Sequence, residues 1–158
     1  MNLPPRILYV DDDPIDCELM AFWLNDSCGY DVTSAMDGQQ AAEYIDKQTF
    51  DLFLLDYCLP DTTAVHLCQK IRETNPFVPI MIYSSLNREV DKQQARIAGA
   101  NDYLVKPEEL HLVKSHIDML LGRALDGQMT LAAVQNEASQ ASIPRNNPVV
   151  KRRASRIL

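Results

Sequence analysis

Ile7-Leu8-Tyr9-Val10-Asp11-Asp12-Asp13-Pro14 joins a run of apolar residues to three consecutive carboxylates and a proline. The same grammar recurs further along the chain. Leu52-Phe53-Leu54-Leu55 ends in Asp56, Ile80-Met81-Ile82-Tyr83 in Ser84, and Tyr103-Leu104-Val105 in Lys106. Short apolar runs separated by helix-length segments read as buried strands of a parallel α/β sheet. Ligands of such sheets bind outside the carboxyl ends of the strands. The runs therefore deliver carboxylates, a hydroxyl and an ammonium to one rim.

Working outward, strands are expected near 6–10, 30–34, 52–55, 79–83 and 102–105, with helices near 14–26, 38–47, 64–74, 88–98 and 108–121. Pro14 suits a first helical turn, and Asp13 before it can cap the free amides. Gly38 follows Asp37 at the second helix start, Pro76 closes the third helix, and Gly99 stands where the fourth would end in a left-handed cap. Cys17, Met20, Ala21 and Leu24 recur at helical spacing and form the expected buried face of the first helix. Strand–helix alternation of this kind covers the sheet on both sides.

Composition sets the bounds. The chain has 158 residues, 46% of them hydrophobic, enough for one sizeable core. Residues 1–122 hold nine basic and twenty acidic side chains, a net charge of −11; the remaining six and two give residues 123–158 a charge of +4. An acidic body opposes broad contact with nucleic acid, so no direct DNA binding is expected of it. Cys17, Cys28, Cys58 and Cys68 show neither a CxxC pair nor zinc-ligand spacing and read as reduced thiols. No signal-peptide pattern and no membrane span are visible, so a cytoplasmic location is expected. Residues 1–122 read as the folded domain. Residues 123–158 read as a C-terminal tail, one short helix (130–141) followed by a basic disordered end.

Carboxylates clustered at one rim repel unless a cation joins them. Mg²⁺ fits such a place, because it binds through one or two carboxylates and keeps positions for water and phosphate oxygens. One Asp can then act as a nucleophile on phosphorus. Lys106 supplies positive charge and Ser84 a donor for the transferring group. The inventory is that of a phosphoryl-transfer site.

The stretches ILYVDDDP (7–14), DLFLLDYCLPD (51–61), PIMIYSS (79–85) and GANDYLVKP (99–107), in this order and spacing, resemble the receiver domain of two-component response regulators, CheY-like proteins. The resemblance implies a flavodoxin-like (βα)5 three-layer sandwich with a parallel sheet in order 2-1-3-4-5. It also implies roles. Asp56 matches the phosphoacceptor, Asp12 the direct Mg²⁺ ligand, Asp11 a ligand through water, and Cys58 a backbone carbonyl to the metal. Lys106 would pair with the phosphoryl group, with Pro107 after it through a cis bond. Ser84 and Tyr103 match the switch hydroxyl and aromatic, which remodel the face made by the fourth helix, fifth strand and fifth helix. Partners implied are a histidine kinase or phosphotransfer protein upstream, a protein target downstream, and a phosphorylation-dependent homodimer. The expected activity is that of a stand-alone switch, catalysing only its own phosphorylation and dephosphorylation.

Other readings compete. Asp11-x-Asp13, Ser84 and Lys106 also mimic a haloacid-dehalogenase-like phosphatase with Asp11 as nucleophile, although Asp56 would then lack a role. A pseudo-receiver scaffold is the third. Thr63-Ala64 stands where similar proteins carry Asp-Gly, which removes easy access to positive φ and puts the shape of loop 57–63 in question. Ser85 replaces a frequent Ala. Leu86 is expected to shield an acyl phosphate and lengthen its lifetime. His66, His111 and His116 read as residues of solvated helix faces away from the rim.

Overall fold

The apolar runs become the strands of a single sheet in the computed structural model, which describes residues 3–122: β1 (Arg6–Val10), β2 (Asp31–Ala35), β3 (Leu52–Leu55), β4 (Ile80–Ser84) and β5 (Asp102–Val105). Every neighbouring pair is parallel, in the order β2-β1-β3-β4-β5. The helices are α1 (Pro14–Phe22), α2 (Gly38–Lys47), α3 (Ala64–Thr74), α4 (Glu89–Ala98) and α5 (Val113–Leu120). The expected tail lies outside the described residues.

Period-two alternation sends each strand's residues to opposite faces. Leu8, Val10, Phe53, Leu55, Ile80 and Ile82 pack with residues of α2, α3 and α4. Ile7, Tyr9, Leu52, Leu54, Met81 and Tyr83 pack with residues of α1 and α5. β3 and β4 are buried along their whole length, which is why they read as unbroken apolar runs. Each large side chain withdrawn from water in this way contributes about 1.5–3 kcal/mol.

Capping follows the sequence. Asp13 accepts from the amides of Ile15 and Asp16 at 2.8 and 3.2 Å, and Asp37 from that of Gln40 at 2.7 Å. Gly99 ends α4 at φ 112°, and the Lys106–Pro107 bond is cis.

Two helices depart from expectation. The first, expected to run from 14 to 26, is α-helical only to Phe22; Trp23–Ser27 widens into a π-helical turn. Asn, Asp and Ser resist helix interiors because their side chains bond nearby backbone instead. Here Asn25 Oδ1 accepts from the Val32 amide at 2.8 Å, and Gly29 at φ 71° turns the chain into β2. Leu24 still reaches full burial, whereas Ala21 is only half-buried. The last helix, expected from 108, starts at Val113 after a 3₁₀ turn at Leu110–Leu112. Glu109 Oε2 takes the Val105 amide at 2.7 Å, a local bond that stands in place of a first helical turn.

Loop 57–63 holds its shape without a glycine. Among the described residues, none other than glycine has positive φ. The Leu59 amide reaches the Thr62 carbonyl at 3.1 Å and the Ala64 amide the Tyr57 carbonyl at 2.9 Å. Asp61 ties the loop to the start of α2 by accepting from Gly38 and Gln39 at 2.7 and 2.9 Å. Thr63 is extended at φ −126°, and Ala64 is fully buried as the first residue of α3.

Candidate functional site

Asp11, Asp56 and Lys106 are each placed by a strand ladder that runs one residue beyond its strand. The Asp11 amide bonds the Ala35 carbonyl at 3.0 Å, that of Asp56 bonds Val10 at 2.8 Å, and that of Lys106 bonds Ser84 at 2.9 Å. The side chains thus converge at the junction of the neighbouring strands β1 and β3, the switch point of a doubly wound fold.

Asp11 is 1% exposed and fully engaged. The Tyr9 hydroxyl donates to its Oδ2 at 2.5 Å, the Asp13 amide donates to Oδ1 at 3.0 Å, and the Lys106 ammonium lies against Oδ2. Asp12 is exposed and Asp56 is half-buried, with Oδ1 accepting from the Tyr57 amide at 2.6 Å. Oxygens of Asp11, Asp12 and Asp56 all lie within 4.8 Å of one another.

Lys106 Nζ stands 3.4 Å from Asp16 Oδ2 and 3.6 Å from Asp56 Oδ2, besides its contact with Asp11. Burial acts to lower the lysine's pKa, but the hydrogen bond to Asp11 and the fields of Asp56, Asp11 and Asp16 outweigh it and leave it above its ordinary value. Burial pushes the Asp56 carboxyl up. The Ser84 hydroxyl, Lys106 and the Tyr57 amide pull it down, while Asp11 adds to the rise. One ammonium among Asp11, Asp12, Asp16 and Asp56 leaves negative charge uncompensated, with carboxylate oxygens at a separation that one cation spans. That donor set, oxygen only, suits Mg²⁺. Asp12 and Asp56 have oxygens to offer it, whereas those of Asp11 are already committed.

Ser84 closes β4 and is 1% exposed, whereas the adjacent Ser85 is exposed. The Leu86 amide approaches Ser84 Oγ at 3.4 Å, and the Tyr103 hydroxyl donates to the Leu86 carbonyl at 2.7 Å. Tyr103 is half-buried, its phenol pushed up to about 12 by burial and then by Asp91. Lys92 lies 5.9 Å from its ring centroid. Ser84, Leu86 and Tyr103 thus form a short chain from the acidic cluster to α4. Cys58, two residues past Asp56, has its side chain in solvent and pairs with Thr63 in a one-residue bridge.

Sequence reasoning missed Tyr9, Asp16 and Tyr83. Tyr9 sits inside an apolar run, where an aromatic passes for core, and Asp16 sits on a helix, where a carboxylate passes for surface. Tyr83 brings its ring centroid to 5.3 Å from Lys106 Nζ. One reading of the histidines changes as well. His66 and His111 are exposed, but His116 is half-buried, with Nδ1 2.5 Å from Asp102 Oδ2 at the edge strand. Its partner Asp102 opens β5, at the opposite end of that strand from Lys106.

Beside the cluster, α1 carries a second apolar stripe that faces water. Ile15, Leu19 and Phe22 are 65, 61 and 64% exposed. Leu19 and Phe22 border a cavity of about 390 Å³ that Trp23, Tyr83, Lys106 and Leu110 also line. No helix among the described residues is long and apolar enough to cross a membrane.

A family model described as a response regulator receiver domain matches residues 7–118. The chain is 35% identical over 121 residues to the DNA-binding dual master transcriptional regulator RpaA of Synechocystis sp., covering 75% of this chain and 50% of that one. It spans about half the length of the curated relatives it matches. A putative response regulator from Chloroflexus aurantiacus is 32% identical with a TM-score of 0.69, covering 76% of this chain and 99% of that one. The receiver domain of the sensor histidine kinase PA1611 from Pseudomonas aeruginosa, solved with magnesium coordinated in its active site cleft, is 30% identical with a TM-score of 0.68; the match covers 75% of this chain and 98% of that one.

Proposed function

We propose that this chain, which belongs to the response regulator receiver domain family, accepts a phosphoryl group on Asp56 and passes the resulting charge to a protein-binding face. The observation that carries this reading is the grouping of Asp11, Asp12 and Asp56 within 4.8 Å, with Lys106 among them. Of the three carboxylates, Asp56 is the one that sits beside both Ser84 and Lys106. Asp11 is a poor nucleophile, since Tyr9, Lys106 and the Asp13 amide occupy its oxygens. Asp13 is spent on the cap of α1. Both points oppose a phosphatase built on Asp11-x-Asp13.

Asp12, Asp56 and the Cys58 carbonyl would hold Mg²⁺, with Asp11 acting through water. The ion, when bound, neutralises charge on the transferring group and on the attacking carboxylate. Lys106 pairs with an equatorial phosphoryl oxygen and Ser84 donates to another. Phosphorylation adds a charge of about −1.5 to −2. Drawing Ser84 toward it disturbs the Leu86 segment, and the Tyr103 hydroxyl is bonded to that segment. The switch thereby reaches α4, β5 and α5, the face assigned to a downstream protein or a second copy. An acidic body favours a protein target over direct DNA contact by this domain.

The phosphodonor is a histidine kinase or a phosphotransfer protein. The exposed Ile15-Leu19-Phe22 stripe next to the site gives such a partner an apolar surface of the kind that marks protein contacts. Incubation with radiolabelled, autophosphorylated histidine kinases tests both points. Label should move to the wild type, fail to reach Asp56→Asn, and reach Leu19→Glu at least about tenfold more slowly, as expected for losing an interface anchor. Label on Asp56→Asn would contradict the assignment.

A further inference from the structure

Lys106 is held by one more carboxylate than phosphoryl acceptance requires. Asp11 and Asp56 belong to the rim, but Asp16 belongs to the first turn of α1, and its Oδ2 reaches Nζ at 3.4 Å. Its position is not accidental to the helix. The Asp16 amide donates to Asp13 Oδ1 at 3.2 Å, so the cap that starts α1 also fixes the residue that meets the lysine. Tyr83, whose ring centroid is 5.3 Å from Nζ, lines the same cavity as Asp16 and Lys106. The ammonium therefore stands between two sets of partners, Asp16 and Tyr83 on the α1 side, and Asp11 and Asp56 on the rim. Asp16 and Asp56 lie at similar distances, 3.4 and 3.6 Å.

We infer that Asp16 is a positioning residue for Lys106, drawing the ammonium toward α1 while Asp56 is bare and yielding it when a phosphoryl group arrives. The inference rests on the function proposed above. Asp16 is half-exposed, with its side chain 48% accessible, so its hold is that of a surface ion pair. A phosphoryl group on Asp56 carries about −1.5 to −2 charges in a less exposed place and wins the competition. What is lost in leaving Asp16 is subtracted from the affinity of the site for the phosphoryl group, as in any two-state equilibrium biased by a ligand.

Calorimetric binding of beryllium fluoride, a phosphoryl mimic, to the full chain in Mg²⁺ tests this. Asp16→Asn should bind about two- to fivefold more tightly, the size of one half-exposed ion pair. Asp16→Glu, which keeps the charge and can still reach Nζ, should return to the wild-type value. Asp13→Asn removes an equal charge from the same turn, keeps a capping side chain and does not touch Lys106; it should leave affinity unchanged. Unchanged binding by Asp16→Asn, or equal tightening by Asp13→Asn, overturns the inference while the proposed function stands. Failure of the wild type to bind the mimic overturns both.

Discussion

Asp56 sits in surroundings that oppose its own ionisation, because burial raises its pKa more than Ser84, Lys106 and the Tyr57 amide lower it. A carboxyl whose pKa is raised on folding stabilises the fold fully only below its unfolded value of 3.8, and that contribution is lost as pH rises through the folded value. In chelator at neutral pH, Asp56→Asn should therefore unfold at a higher temperature than the wild type. The difference should vanish as pH falls toward 3.8, and thermal scans across pH check it. Ser34 offers a second residue-scale prediction. Its Oγ is buried without a hydrogen-bond partner among the described residues. Ser34→Ala should stabilise by about 1 kcal/mol, read from urea midpoints, because it removes an unmet polar group. At this scale the sequence was legible where an apolar run turns abruptly polar, as at Asp11, Asp56, Ser84 and Lys106. Tyr9 and Asp16 were hidden because each has the residue type that its own element would carry anyway.

Between residues and the whole lie the elements whose ends set the rim. The cap at Asp13 and the stop at Gly99 were legible because each rests on one local physical need. The π-helical turn at Trp23–Ser27 was not, since it depends on Asn25 finding the Val32 amide in β2, a tertiary partner. His116 was misread for the same reason, its partner Asp102 lying on the edge strand. Loop 57–63 depends on Asp61 and on close approach of Gly38, where a β-carbon would fall 2.2 Å from Thr62 Cγ2. Gly38→Ala should cost about 1–3 kcal/mol as overpacking, visible in a lower urea midpoint. By displacing Thr62 it should also slow phosphoryl acceptance on the neighbouring Asp56 loop.

For the molecule as a whole, the alternation of runs prescribed a parallel sheet, but its order came from the resemblance, because periodicity says nothing about which strands are neighbours. The order matters to function. It sets β1 beside β3, so that Asp11 and Asp12 from one strand meet Asp56 from the other. The strongly acidic body, at −11 over residues 1–122, concentrates carboxylates around a site with one central lysine, which favours a cation there. Half-buried Leu86, beside Ser84, is expected to slow water attack on the acyl phosphate, giving a half-life of minutes or longer in a chase experiment; seconds would contradict it. Most direct is intact mass after incubation with Mg²⁺ and acetyl phosphate, with Asp56→Asn and a chelated sample alongside. A single phosphoryl adduct that requires both Mg²⁺ and Asp56 is the predicted result. An adduct that persists in Asp56→Asn, or none in the wild type, would contradict the account.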